Sequence, residues 1–471
     1  MNESIKHIKE YEANGDPALA VRRWCREFTE REGISPYACV LTFGCQQNEA
    51  DSEKMRGVLC DLGYAITDDP NMAQVLLFNT CAVRDHAEKK VLSVIGQYKH
   101  LKAVRPSLII GVCGCISAQA ERREKLKRSY PYVDFATGPA AAGKLPSLIA
   151  SRLGGKKRSF DYTEENEIFE GVPVKRSEDF RAWVNIMHGC NNFCTYCIVP
   201  YVRGRERSRR KEDIIDECRE LIASGVKDIT LLGQNVNSYG RGLYEGYAFP
   251  DLLRDVCSLE GDFKVRFMTS HPKDATDELF KVMSECEKAA RHFHLPLQSG
   301  STRILGLMNR RYTFDGYLRK IEKMRALMPD VTLTSDIIVG FPGETEEDFE
   351  ETLNALRLVK YDMLYSFIYS PRKGTPAAEM DGQIPKEISN ARFSRLLELQ
   401  NEIAREKNEA YIGKVVRVLC EGESKTDADT YAGRSDGYKT VFFPERRTAG
   451  EYVDVRIERA DAFALYGRCE K

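Results

Sequence analysis

No stretch of the chain holds the roughly 18 consecutive apolar residues that a membrane-spanning helix requires. The opening run MNESIKHIKEYEANGD is polar and lacks the apolar centre that secretory signals carry. Tryptophan is scarce, with two residues in 471, and there are only seven histidines. Charge of one sign is also missing: 70 Lys and Arg stand against 71 Asp and Glu, a formal net of −1. Global charge is therefore no argument for or against a polyanionic partner. The expectation is a cytoplasmic enzyme with no membrane partner.

What the chain does have is length and cysteine. Its 471 residues suggest about three domains of roughly 150 residues each. With 42% hydrophobic and 30% charged residues, it has the composition of an ordinary globular protein. Cysteines number fifteen, an odd count. A reduced chain of this size needs no disulfide staples, so clustered cysteines point to metal or redox chemistry. The scattered ones, Cys218, Cys257, Cys286 and Cys420, read as small buried hydrophobes.

The fold class is α/β, in successive blocks. Residues 1–36 read as a peripheral helical extension. Between 37 and 150 the apolar runs ACVLTF (38–43), VLLFN (75–79) and LIIGV (108–112) alternate with helix-period segments, which predicts a parallel-sheet α/β domain. Residues 151–178, with a basic and then an acidic run, read as a linker. From 179 to 409 six strand runs recur: WVNIM, DITLL, KVRFM, HFHLPL, VTLTSDIIV and LYSFIY. Six βα units predict an open (βα)6 partial barrel with its site at the C-terminal strand ends. The short strand runs in 410–471 predict a small antiparallel β-barrel.

Directly after the first barrel strand stands His188-Gly-Cys190-Asn-Asn-Phe-Cys194-Thr-Tyr196-Cys197, a C-x3-C-x2-C spacing. Three thiolates in one loop suit three irons of a [4Fe–4S] cube and leave the fourth iron open. The alternative is a zinc site with His188 as the fourth ligand. The motif resembles that of the radical S-adenosylmethionine (SAM) superfamily, and the resemblance spans roughly 180–400. It implies that Cys190, Cys194 and Cys197 hold a cluster, that the open iron takes SAM, and that Tyr196 packs near the adenine. The strand-end positions Gln234, Ser270, Gln298 and Asp336 are further SAM candidates. The segment DIIVGFPGE (336–344) departs by one residue from the superfamily form, so no role is carried to Glu344.

A second set of cysteines is dispersed. TFGCQQN (42–48), NTCAVR (79–84) and VCGC (112–115) each place a cysteine at a strand end. Neighbouring parallel strands deliver their C-terminal loops to one edge, so Cys45, Cys81 and Cys115 can converge. The pattern does not choose between Cys115 and Cys113. These segments resemble the N-terminal domain of the methylthiotransferase family, in which Cys45, Cys81 and Cys115 would hold an auxiliary [4Fe–4S] cluster. Gln47 and the ISAQ after Cys115 depart from the family's usual residues.

The remaining signals concern the substrate. VPYVRGRERSRRK (199–211) sets Arg203, Arg205, Arg207, Arg209, Arg210 and Lys211 against Glu206. That locally basic run reads as a phosphate contact, or as a solvated loop or salt-bridged helix start, with the SAM carboxylate or positioning of the loop as alternative roles for Arg203 and Arg205. Residues 410–471 resemble the TRAM domain of RNA-modifying enzymes. Their charges balance, while Tyr431, Tyr438, Phe442 and Phe443 offer either stacking surfaces or barrel core. GQNVNSYG (233–240) resembles the branch acting on N6-isopentenyladenosine at tRNA position 37. The resemblance implies two SAM molecules, two clusters, the tRNA anticodon stem-loop as partner, an electron donor such as flavodoxin or ferredoxin, and a sulfur source. The alternatives are the branches acting on a ribosomal-protein aspartate or on threonylcarbamoyladenosine and, in another class, a non-catalytic zinc-containing RNA-binding protein.

Overall fold

The computed structural model describes residues 15–82, 85–156, 158–160, 170–425, 427 and 429–470. Residues 1–14 of the expected extension, Lys157 and 161–169 of the expected linker, and Val83 and Arg84 of the NTCAVR run lie outside them. The chain forms two compact units. The first is Met1–Ser177 with Ile198–Arg205, and the second is Glu178–Cys197 with Glu206–Lys471.

In the first unit the three expected strands are β1 (Tyr37–Phe43), β3 (Val75–Thr80) and β4 (Ile109–Gly114). Two short strands complete the sheet: β2 (Ala65–Ile66) and β5 (Phe135–Thr137), in the parallel order β2-β1-β3-β4-β5. Alternation along β3 sends Val75 and Leu77 to one face, against Met55, Leu59, Leu145 and Ile149. Leu76 and Phe78 go to the other, against Val91, Ile95 and Leu126. Both faces are thus covered by helices, which is why the strands read as continuous apolar runs. The extension contributes the helix Pro17–Glu32. Asp16 caps it through a 2.9 Å bond from the Ala18 amide, and Gly33 at φ 75° ends it.

The second unit carries the six barrel strands β6 (Arg181–Asn185), β9 (Asp228–Leu232), β10 (Lys264–Phe267), β11 (His292–His294), β12 (Thr332–Val339) and β13 (Met363–Ile368). They form two parallel sheets, β10-β9-β6 and β11-β12-β13. The two are joined where the Val265 amide reaches Lys288 O (2.8 Å) and the Ala290 amide reaches Val265 O (2.9 Å). Two expected strands are shorter than predicted. HFHLPL stops at His294, two residues before Pro296, which has no N–H to donate. WVNIM breaks after Asn185; Met187–His188 (β7) pairs instead with Arg207–Ser208 (β8), bracketing the cysteine loop.

The C-terminal strands β14 (Val415–Glu423), β15 (Tyr431–Ser435), β16 (Thr440–Phe443), β17 (Tyr452–Ala460) and β18 (Ala464–Cys469) close as β14-β15-β16-β18-β17. The expected antiparallel barrel holds except that β16 runs parallel to β18. Tyr431 and Phe443 lie in its core, and Phe442 stacks on Tyr466 at 5.5 Å. Tyr438 does not offer a free face either: the β15–β16 turn closes the N-terminal end of the six-stranded barrel. There Tyr438 stacks on His292 at 5.3 Å, Arg266 donates to the carbonyls of Asp436 (2.6 Å) and Ser435 (3.1 Å), and Lys439 pairs with Asp362 at 2.9 Å.

Gly437 lets that turn approach. A Cβ there would stand 2.2 Å from Thr332 Oγ1. Gly437→Ala is expected to lower the stability of the full chain by about 1–3 kcal/mol, read as a lower urea midpoint.

Candidate functional site

The first trio is built by strand register. Phe43 pairs with Thr80, and Thr80 pairs with Gly114. Cys81 and Cys115 follow directly on β3 and β4, and Cys45 follows β1 by two residues. Three adjacent parallel strands therefore release the three cysteines side by side at one edge. The Cys45 and Cys81 thiols are in hydrogen-bonding contact. That bond, helped by Arg203 and by the amides of Asn48 and Gln47, outweighs burial and lowers the Cys45 pKa to about 6. Burial pushes the Cys115 thiol up, and Arg203 pulls it back.

Asn48 fastens this edge. Its Oδ1 accepts from the Cys45 amide at 3.3 Å, and its Nδ2 donates to Thr80 O (3.1 Å) and Asn79 Oδ1 (3.2 Å). Asn79 answers with 2.8 Å to Asn48 O and 2.9 Å to Ser52 Oγ. Gly114, at φ 92°, turns the chain where a Cβ would meet Thr80 O at 2.4 Å. The turn separates the two cysteines that alternation left together. Cys113 is sealed in the core with Val40 and Leu77, its thiol pushed up to about 12 by burial, whereas Cys115 lies within electrostatic reach of Cys45.

The second trio sits in the loop after β7. Cys190 and Cys194 are buried and Cys197 half-buried. Burial pushes Cys190 up to about 11, against the Asn192 amide; Cys194 and Glu206 add to the rise and Lys273 opposes it. The Cys194 sulfur accepts from Arg310 Nη1 at 3.4 Å. Arg310 is itself fixed by Pro296 O and the Tyr312 hydroxyl, both at 2.9 Å. Asn309 Nδ2 holds Phe193 O at 2.9 Å, and Met308 O takes the Thr195 amide at 3.1 Å. Sequence reasoning missed this clamp: Asn309 and Arg310 belong to no cysteine motif, and their only mark is the polar Asn-Arg-Arg-Tyr run.

Tyr196 packs against the cluster of Ile304, Met308, Ile338, Phe341 and Ala377. Of the expected SAM contacts, Gln234 and Ser270 follow the ends of β9 and β10. Gln298, at φ 73°, bridges to β12 through bonds with Asp336 O (2.8 Å) and the Ile338 amide (2.9 Å). Asp336 is not at a strand end. It lies within β12 with its carboxylate 3.7 Å from His294 Nε2, because the strand continues to Val339. Among the described residues, the Ser270 hydroxyl and the side-chain amides of Asn185 and Asn237 are buried without a partner. All three lie at or just past the ends of β6, β9 and β10, so the barrel mouth presents polar atoms suited to a bound ligand. Asn185 and Asn237 escaped the sequence reading because asparagine in a loop or at a strand end is unremarkable.

The basic run is not one patch. Arg203 is buried against Asp51 (2.8 Å), and Arg209 is buried against Glu217 (2.8 Å) and Asn185 O (2.6 Å). Neither is placed for phosphate contact, since each cation is already matched by a carboxylate. Arg205 and Arg210 are exposed and Arg207 is half-buried. Arg210 stands 3.3 Å from Asp213.

The donor sets fit iron–sulfur cubes. Each trio is made of cysteine thiols alone, the donor type that holds such clusters.

Residues 184–356 match the radical SAM superfamily, residues 38–138 the uncharacterized protein family UPF0004, and residues 409–469 the TRAM domain. Relatives from Acetivibrio thermocellus, Caldicellulosiruptor saccharolyticus and Clostridium perfringens are named tRNA-2-methylthio-N(6)-dimethylallyladenosine synthase. They are 49%, 49% and 50% identical, over 93%, 94% and 91% of this chain and 92%, 94% and 96% of their own lengths. A solved structure of the cobalamin-dependent SAM radical enzyme OxsB, with aqua-cobalamin and SAM bound, aligns at TM-score 0.48 and 14% identity, over 77% of this chain and 56% of that one.

Proposed function

Since this chain belongs to the radical SAM tRNA methylthiotransferases, the family of those relatives, we propose that it converts N6-isopentenyladenosine at tRNA position 37 to its 2-methylthio derivative. Isopentenyl and dimethylallyl name the same substituent. Cys190, Cys194 and Cys197 would hold one [4Fe–4S] cluster, and Cys45, Cys81 and Cys115 a second. When bound, the two clusters and SAM supply a reducing electron, a carbon-centred radical and the sulfur to be transferred.

The chain's own residues do the rest. Arg310 donates to Cys194 and orients that thiolate. Asn48 and Gly114 set the edge from which Cys45 and Cys115 emerge. Ser270, Asn185 and Asn237, with Gln234 and Gln298, line the mouth as contacts for SAM or the adenine. Tyr196 closes an apolar wall beside them.

The observation that carries this reading is the first trio. A SAM radical site alone needs one set of three cysteines; a further set at the strand ends, with Cys45 and Cys81 in contact, supports a second cluster and with it a sulfur insertion. The enzyme takes its electron from a flavodoxin or ferredoxin, draws on a cellular sulfur source, and works in the cytoplasm. No described helix is long and apolar enough to cross a membrane.

The test is tRNA from cells lacking the gene, digested to nucleosides. The 2-methylthio nucleoside should disappear and N6-isopentenyladenosine should accumulate in its place. Unchanged tRNA removes this reading and leaves a protein substrate.

A further inference from the structure

Arg203 stands apart from the arginines around it. The segment Ile198–Arg205 belongs to the first compact unit, where Ile198 and Val202 pack in one core with Cys115 and Ile116. The short helix Val199–Arg203 thus delivers its last side chain to the edge where the first trio emerges. The Arg203 side chain is 6% exposed, and its Nη2 stands 2.8 Å from Asp51 Oδ2, whose own side chain is 9% exposed. On its other side the guanidinium is in hydrogen-bonding contact with Cys115 and within electrostatic reach of Cys45.

A guanidinium this deeply buried is tolerated only where anions surround it. Asp51 supplies one, and the sulfurs of Cys115 and Cys45 are within electrostatic reach of the guanidinium. Arginine suits such a place because it stays charged and its planar fork can serve two acceptors at once. Asp51 fixes one nitrogen of that fork and leaves the others for the Cys115 thiol.

We propose that Arg203 is a positioning residue for the iron–sulfur site of Cys45, Cys81 and Cys115. Anchored by Asp51, it donates to the Cys115 sulfur and keeps a permanent positive charge beside the cluster. The proposal rests on the reading that this trio holds a cluster. A fixed cation and an N–H···S bond both favour the more negative, reduced state, so Arg203 raises the reduction potential of that cluster. A merely structural Arg203 would tie its segment to Asp51 and leave the potential alone.

The test uses the full chain with Cys190, Cys194 and Cys197 replaced by Ala, so that the remaining cluster belongs to the first trio. After anaerobic reconstitution, its midpoint potential and its electron paramagnetic resonance line are compared across Arg203→Lys, Arg203→Gln and the pair Arg203→Gln with Asp51→Asn. The pair guards against unfolding caused by an unmatched Asp51 carboxylate. Arg203→Gln and the pair should move the midpoint to more negative values and alter the line, while Arg203→Lys stays nearer the parent. Midpoint and line unchanged in both Gln variants overturn the proposal. Failure of the underlying reading shows elsewhere: the background without Cys190, Cys194 and Cys197 would then hold no iron–sulfur cluster at all, instead of the roughly four irons of a cube.

Discussion

Cys190→Ala abolishes formation of 5′-deoxyadenosine from SAM, a fall of more than about 100-fold in a reduced, anaerobic assay. The magnitude follows from the ligand's place. Loss of an outer-shell partner alone costs a metal site about 10–100-fold, and Cys190 is a proposed ligand itself, buried at 8% exposure beside Cys194. No thiol in this loop can substitute, because Cys194 and Cys197 are already committed. The substitution leaves the fold intact, since the loop is held by Asn309 Nδ2 on Phe193 O and by Met308 O on the Thr195 amide. A folded Cys190→Ala chain that still cleaves SAM at the parent rate would remove the radical centre from this loop.

Cys81→Ala has the complementary outcome. SAM cleavage persists within about twofold, and the methylthio product falls more than about 100-fold. Cys81 follows the central strand of the three that supply thiols, and it is the contact partner of Cys45. Its removal takes away both a proposed ligand and the bond that most stabilises the Cys45 thiolate. The proposed radical centre uses another set of cysteines, so the two activities part. Mass analysis of the nucleosides, with 5′-deoxyadenosine counted in the same reaction, reads both at once. Full product from Cys81→Ala would end the case for a second cluster.

The strands that matter most were legible because they are buried on both faces: β3 and β4 read as continuous apolar runs. The two-residue β2 and three-residue β5 were not, since so few residues carry no period. The six barrel strands were legible in number and order, and their ends shifted where Pro296 intervenes and where Asn185 releases the chain toward β7. Both cysteine trios could be read from the sequence, one from spacing and one from strand ends. The choice of Cys115 over Cys113 came from the family resemblance and not from the strand pattern, because it depends on the backbone of Gly114.

The partners of the basic run were not legible for a related reason. Nothing near Arg203 or Arg209 announces Asp51, 152 positions away, or shows that Glu217 folds back across a helical turn. A cation reads as free until its partner arrives through the fold. Tyr438 is the aromatic equivalent, its ring covered by His292 of β11, 146 positions earlier in the chain.

The central claim is two cubes in one chain, and iron and acid-labile sulfide counted after anaerobic isolation test it most directly. About eight of each per chain is the expected result. About four of each with Cys45→Ala showing no further loss, or zinc without labile sulfide, would contradict it.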